Sequence, residues 1–228
     1  MKLRLVIISV GLLVFAIHHA HKAWADHLAS YKTYRPQTGQ VLNRFELLFK
    51  SDPKNELKQV LWQWRDEEGT TFEEYRLNAQ DETLVWKVRQ PQEKTLYEGR
   101  REGNHLLLKG QWKGRPLTKD LPIDARPFYF NPKVGLRSFA LSGRPSLLFW
   151  AMRHDDLSVY LMKAENKGRE MLDIQGKKVE TIKVVWTLPD FRSAFFKRTY
   201  WFRSSDGLYV KQTASAGTVR VLTGEKNQ

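Results

Sequence analysis

The chain has 228 residues and a formal net charge of +13, with 41% hydrophobic and 12% aromatic side chains and no cysteine. The missing cysteine excludes a disulfide framework, a thiolate nucleophile, a Cys-containing zinc site and a lipidated leader junction. The length suits one unit with a sizeable core, and no Pro/Gly/Ser-rich linker, low-complexity run or clear repeat divides it.

In chain order the first element is a leader. Lys2 and Arg4 precede an apolar run from Leu5 to Ile17, and a polar stretch then ends in Ala23-Trp24-Ala25. A basic start, an apolar middle of about 7 to 15 residues and small side chains before the cut are what export and its peptidase require. The expectation is cleavage after Ala25, giving a mature domain over 26–228. The run falls short of the roughly 20 apolar residues that span a bilayer, which makes an uncleaved anchor the lesser reading. Three leader cations, Lys2, Arg4 and Lys22, account for part of the charge, so the mature chain is still strongly basic. Export argues against nucleic acid as a partner. The counter-charges to expect are anionic lipid headgroups, lipopolysaccharide phosphates or acidic polysaccharide, with a solvated basic surface as the plain alternative.

From about Gln40 the chain alternates as short strands do. Val41 to Lys50 and Leu57 to Asp66 are the first two, the second with Val60, Trp62 and Trp64 on one face, and Glu67-Glu68-Gly69 supplies the turn. Thr70 to Asn78 returns, Thr83 to Gln90 follows with Leu84, Trp86 and Val88 on one face, and Lys94 to Arg100 and His105 to Lys109 continue the meander. Between Gly110 and Asp156 five prolines point to a crossover. Short covering helices are predicted there over Lys133 to Leu141 and Pro145 to Arg153. Strands resume as Leu157 to Ala164, Glu170 to Ile174, Lys178 to Leu188, Phe196 to Arg203, Leu208 to Thr213 and Thr218 to Leu222. Their turns are marked by Gly168, Gly176, Gly207 and Gly217. Basic residues interleave with rings, as in Trp86-Lys87-Val88-Arg89, which places charge on the wet face of a sheet. The fold class expected is mainly β: a curved antiparallel sheet, half-barrel or open barrel, with a few short covering helices.

Tyr200-Trp201-Phe202-Arg203 followed by Asp206-Gly207-Leu208-Tyr209-Val210-Lys211 resembles the C-terminal hairpin of uncharacterised exported bacterial proteins of the domain-of-unknown-function type. The likeness spans about residues 95 to 223. In shape it is similar to the half-barrel carriers of the lipoprotein-localisation type, and that resemblance implies an apolar hollow between sheet and helices that could hold acyl chains. No carrier residue maps onto a position of this chain, and the missing lipobox cysteine departs from the membrane-anchored carriers.

Chemistry is thinly signalled. Ser146, His154 and Asp155 or Asp156 lie close in sequence, but no Gly-x-Ser-x-Gly elbow surrounds the serine, and turn and helix-end roles account for them. Asp120/Asp124 and Glu73/Glu74 are carboxylate pairs whose plain reading is solvated side chains. The mature histidines, His27, His105 and His154, show no metal-binding spacing, and no phosphate loop appears, so no cofactor or metal is expected. Seven tryptophans outside the leader sit mostly at alternating strand positions, where core packing is their default. Phe149, Trp150 and Met152, on the predicted second covering helix, are the candidates for lining a ligand opening. The first functional expectation is non-enzymatic binding or carriage of an amphipathic or anionic lipid-like envelope molecule. A structural or protein-interaction module of the envelope is the second, and a hydrolase the third.

Overall fold

A computed structural model describes residues 26–51, 58–66, 69–190, 196–214 and 217–227. The leader read at residues 1–25 and the Glu67-Glu68 part of a predicted turn lie outside the described residues.

Fourteen strands make one antiparallel sheet, in which the chain runs outward along one arm and returns along the other. The first arm comprises β1 (His27–Tyr34), β2 (Val41–Ser51), β3 (Lys58–Asp66), β4 (Gly69–Leu77), β5 (Thr83–Gln90), β6 (Thr95–Glu102), β7 (His105–Trp112) and β8 (Arg115–Pro122). The chain then crosses through one helix, α1 (Pro132–Leu141), to β9 (Ser146–Met152) at the opposite edge. It returns by β10 (Val159–Ile174), β11 (Lys177–Thr187), β12 (Lys197–Arg203), β13 (Tyr209–Ala214) and β14 (Val219–Asn227). The two arms meet where β14 pairs with β1, from His27↔Asn227 to Tyr34↔Val219. The edges β8 and β9 do not pair with each other, so the sheet is a curled half-barrel rather than a closed one. A sheet this wide must curl to hide an apolar face.

Alternation decides which face that is. On β1 every second residue (His27, Ala29, Tyr31, Thr33) is buried, and on β4 Thr71, Glu73, Tyr75 and Leu77 are. The concave side is a continuous field of rings: Tyr31 stacks on Phe45 at 4.7 Å, Tyr31 meets Tyr209 at 5.2 Å, Tyr209 meets Tyr200 at 5.6 Å, and Tyr200 meets Trp186 at 5.7 Å. Trp86 is fully buried against Phe128 and Phe130 and lies directly over Gly99 of the neighbouring strand. Only glycine leaves room for that indole.

The segment after β8 straps the two arms together. The Thr83 N–H donates to the Phe128 carbonyl at 2.9 Å, while the Trp150 N–H donates to the Pro127 carbonyl at 2.8 Å and the Tyr129 N–H to the Trp150 carbonyl at 2.9 Å. The strap thus covers part of the β9 edge, which lowers the hazard of an unpaired strand. Across the remaining seam, Lys119 Nζ donates to the Asp156 carbonyl at 3.1 Å.

Helix α1 lies in the concavity and closes one end of it. Asn131 caps it by accepting the Lys133 N–H at 3.2 Å, with Pro132 in the first turn. Asp81, in the β4–β5 turn, accepts the N–H of Ser138 at 3.1 Å and its hydroxyl, and is bound on the other side by Lys58 Nζ at 2.6 Å. Arg137 Nε donates to the Asp206 carbonyl in the β12–β13 turn at 2.8 Å.

Several sequence expectations need correction. Pro145 to Arg153 is not a covering helix but β9, because a short run of apolar residues reads alike for a buried strand and a buried helix. The helical cover among the described residues is therefore α1 and a single 3-10 turn at Pro91–Glu93. The crossover starts later than Gly110: β8 carries Pro116 and Pro122, tolerated because an edge strand needs fewer donors. The strand β1 before Gln40 has no sequence signature, since three of its four inward residues, His27, Ala29 and Thr33, are polar or small. The two strands read at Leu157 to Ala164 and Glu170 to Ile174 are one, with Gly168 (φ 88°) absorbed in a bulge rather than a turn. Leu84 does not share a face with Trp86 and Val88; a register shift there turns Thr83 inward instead.

Candidate functional site

The inward alternation of β4 pushes an acid into the concavity. Glu73, flanked by Thr71 and Tyr75 and facing Trp62 across the ladder, keeps 5% of its side-chain surface in contact with water. The Tyr75 hydroxyl donates to Glu73 Oε2 and accepts the Asn131 amide N–H at 3.1 Å. The cap residue Asn131 in turn accepts from Lys133 Nζ at 3.4 Å. The Lys133 residue is 7% exposed, and its ammonium sits 4.2 Å from the centre of the Trp62 ring. From the turn after β9, His154 brings Nδ1 to 3.6 Å from Glu73 Oε1 while its ring packs on Phe130 at 4.6 Å.

Burial dominates the electrostatics. It pushes the Glu73 carboxyl up to about 8, with Lys133 opposing. It holds the Lys133 amine well below its usual value, and the positive charges of Arg220 and Arg198 push the same way. The His154 imidazole falls to about 4, again through burial first and Lys133 second. Yet 42% of the His154 side chain is open to water. Both hold for a ring inside a concavity, reached by solvent and surrounded by protein. Burial thus favours the neutral forms of the acid, the amine and the imidazole alike.

A pH prediction follows for Glu73→Gln. The unfolded carboxyl ionises near 4.5 and the folded one near 8, so in that window the folded state holds a proton the unfolded chain has lost. Glu73 therefore makes stability fall as pH rises from 4.5 to 8. Lys133 and His154, with lowered values, slope the other way, and subtracting variant from wild type leaves mainly the carboxyl. The Gln variant should gain on wild type by about 1 kcal/mol or more between about pH 5 and about pH 9, or about 2–4 °C in melting midpoint. Parallel stability curves for the two proteins would show that the carboxyl is not held neutral.

The residues singled out in sequence land elsewhere. Phe149 is fully buried against Tyr129 and Trp186, Met152 is buried, and Trp150 is tied through Nε1 to Asp124 Oδ1 at 2.9 Å. All three are on β9, packed against the strap or in the core, not on a helix over an opening. Ser146 and His154 stand at opposite ends of that strand, roughly 20 Å apart at the rise of extended chain, so they form no triad. Asp156 closes its own turn, accepting the Ser158 N–H at 3.0 Å and pairing with Arg153. Asp120 pairs with His105 at 2.7 Å and Asp124 with Arg126 at 2.8 Å. Glu73 and Glu74 point to opposite faces: Glu74 accepts from Gln59 at 2.8 Å, and Glu73 is not the solvated side chain its sequence reading implied. The signal that could have found it is the Thr71-x-Glu73-x-Tyr75-x-Leu77 alternation. Among the described residues no three His, Asp or Glu side chains gather as a metal site would require. None of the described helices is long and apolar enough to cross a membrane.

Two half-open grooves lie on the outer face, about 530 Å³ over Leu48, Leu61, Phe72 and Leu96, and about 780 Å³ over Leu148, Leu161, Val185 and Lys197. The second includes no residue of the polar cluster, whereas Trp62 and Glu73 contribute to the wall of the first.

No protein-family model matches this chain, and no curated protein matches it. Among solved structures it is similar to a β-barrel-like protein of domain of unknown function DUF1849 from Brucella abortus. That likeness has a TM-score of 0.58 at 13% identity and covers 90% of this chain and 98% of that one. The hypothetical lipoprotein YmcC from Escherichia coli aligns at 13% identity over 90% of this chain and 89% of its own, with a TM-score of 0.34. A DUF1329 family protein from Desulfovibrio piger aligns at 12% identity over 91% and 87%, with a TM-score of 0.30. At these identities the first match establishes a shared fold, and the other two are too distant to argue from. The expected likeness to uncharacterised proteins with a curved β fold is found.

Proposed function

We propose that the protein is a non-enzymatic binding protein of the bacterial envelope that holds an amphipathic molecule against its concave face. The observation that supports this reading is the combination found there: an inner face rich in rings, a helix packed against one end, and a polar cluster whose His154 is 42% open to water. Catalysis is disfavoured by what surrounds the acid. Among the described residues, the hydroxyls flanking Glu73 on β4 are engaged: the Tyr75 phenol donates to the carboxyl, and the Thr71 hydroxyl accepts from Gln90 at 3.3 Å. Export of the chain is part of the proposal and rests on the leader sequence.

The test is to express the full chain with its leader, recover it from the envelope fraction, and examine it by native mass spectrometry before and after organic extraction. A co-purifying adduct, removed by extraction and restored by a twelve-carbon amphiphile, is the expected result. A ligand-free mass with no uptake would overturn the proposal. It would favour a second reading, an envelope interaction module, for which the free outer edge of β8 and the exposed Leu96 (60%) and Phe72 (38%) speak.

A further inference from the structure

We propose that the concave face carries a seat for an oxyanion headgroup, carboxylate or phosphate, formed by Lys133, Arg198 and Arg220 against the Trp62 ring. The inference deepens the binding reading above and rests on it for the tail, though not for the anion.

Register turns both arginines inward, and Lys133 enters from the first turn of α1. Arg198 pairs with Trp186 and lies two residues from Tyr200 on β12, while Arg220 pairs with Thr33 on β1, whose inward side chain accepts from Arg220 Nε at 3.0 Å. The guanidinium of Arg198 lies 5.6 Å from the Trp186 ring centre, and that of Arg220 lies 5.7 Å from Phe45. Phe45 meets Trp62 at 5.7 Å, and Trp62 carries the Lys133 ammonium, so the groups border one ring-lined space. Their charges bear on one another, since Arg220 and Arg198 are the next causes, after burial, of the depressed Lys133 amine.

Neither arginine forms an ion pair with a carboxylate among the described residues, and Lys133 is influenced by Glu73 without a direct ion pair. The other acids that reach this side are taken. Asp81 is held by Lys58 and Ser138, and Asp206 and Glu225 are bound by Arg203 at 2.6 and 2.8 Å. Glu73 is engaged by Tyr75, and burial raises its carboxyl with Lys133 opposing, which favours its neutral form. The indole N–H of Trp62 is buried without an acceptor. These cations bond neutral acceptors, Arg220 on Thr33, Lys133 on Asn131 and Arg198 on Tyr200, and charges held only by neutral partners inside a partly dry concavity are costly unless an anion joins them. A carboxylate or phosphate presents two or three acceptor oxygens to forked guanidinium donors.

The test titrates the full exported protein with dodecanoate, dodecyl phosphate, dodecanol, dodecyltrimethylammonium and inorganic phosphate, read by native mass spectrometry and tryptophan fluorescence. Dodecanoate or dodecyl phosphate should bind about tenfold or more tightly than dodecanol, the range expected of charge-assisted hydrogen bonds. The Arg198→Gln/Arg220→Gln double variant should erase that preference and leave dodecanol binding unchanged. A Lys133→Met variant is the second probe, and both variants are checked for a wild-type melting transition. Equal binding of acid and alcohol, or a preference for the ammonium, overturns the oxyanion seat while leaving the binding proposal standing. If inorganic phosphate binds as well as dodecyl phosphate, the seat stands and the amphiphile reading falls. Silence from every probe overturns both. The ratio of dodecanoate to dodecyl phosphate identifies which headgroup the seat takes.

Discussion

The Trp86→Ala variant will lose about 3–5 kcal/mol of stability, the range for removing a fully buried aromatic side chain. Trp86 is completely enclosed, with Phe128 at 5.0 Å and Phe130 at 5.2 Å between ring centres. Those two rings come from the strap, so the indole joins the first arm of the sheet to the segment that holds the second. The complementary change is Gly99→Ala. A methyl group built there would occupy the indole itself, and overpacking of this kind costs about 1–3 kcal/mol or more because neither strand backbone can retreat. The informative measurement is the double variant in urea denaturation. With Trp86 reduced to alanine, the methyl group introduced in place of the Gly99 hydrogen enters vacated space, so Trp86→Ala/Gly99→Ala should cost no more than Trp86→Ala alone. Simple addition of the two losses would show that the indole does not rest on Gly99.

The second large effect concerns the plug at the closed end. Asp81 is buried, and its two oxygens divide the work, one toward Lys58 and the other toward the Ser138 N–H and hydroxyl on α1. Its backbone is in the left-handed region at φ 63°, which aspartate and asparagine tolerate better than alanine. Asp81→Ala leaves a helix N–H, a hydroxyl and a lysine without their acceptor and adds backbone strain. The expected loss is about 2–4 kcal/mol, below the full value for a dry ion pair because Lys58 is about one third exposed. Asp81→Asn, which keeps the turn conformation and one acceptor, should lose about half as much. Hydrogen exchange locates the effect. In Asp81→Ala the α1 amides should exchange faster while the β1–β14 and β11–β12 amides keep their protection. Unchanged α1 protection would mean that Arg137 and the apolar face of the helix hold the plug without Asp81. A loosened plug would also widen access to the polar cluster, since Lys133 lies in the first turn of the same helix.

How much of this could be read in advance depends on the range of the interactions concerned. The hairpins between β6 and β7, between β10 and β11 and between β12 and β13 were legible because Gly103, Gly176 and Gly207 take positive φ, a requirement local to a single turn. The helix α1 was legible in extent, read at Lys133 to Leu141 and found at Pro132–Leu141. The identity of β9 was not, since Ser146 to Met152 is apolar on every side and either a helix or a buried strand would satisfy it. The strap against its edge makes it a strand, and the strap is brought there by residues far away in the chain.

The candidate site divides in the same way. Alternation along β4 already places Glu73 on the side of Tyr75 and Leu77, and composition already shows a basic, cysteine-free chain that is rich in rings. Sequence by itself therefore determined the β class, the local turns and the kinds of group available, because strand period and turn conformation are settled by neighbours in the chain. The tertiary structure alone decided that Glu73, Lys133 and His154 come together, and that Arg198 and Arg220 face the same ring-lined side with no carboxylate ion pair among the described residues. Those outcomes depend on the curl of the sheet, on the pairing of its first strand with its last and on the packing of α1 inside. Residues as distant in sequence as Lys133 and Arg220 bear on one another only when those three conditions hold together.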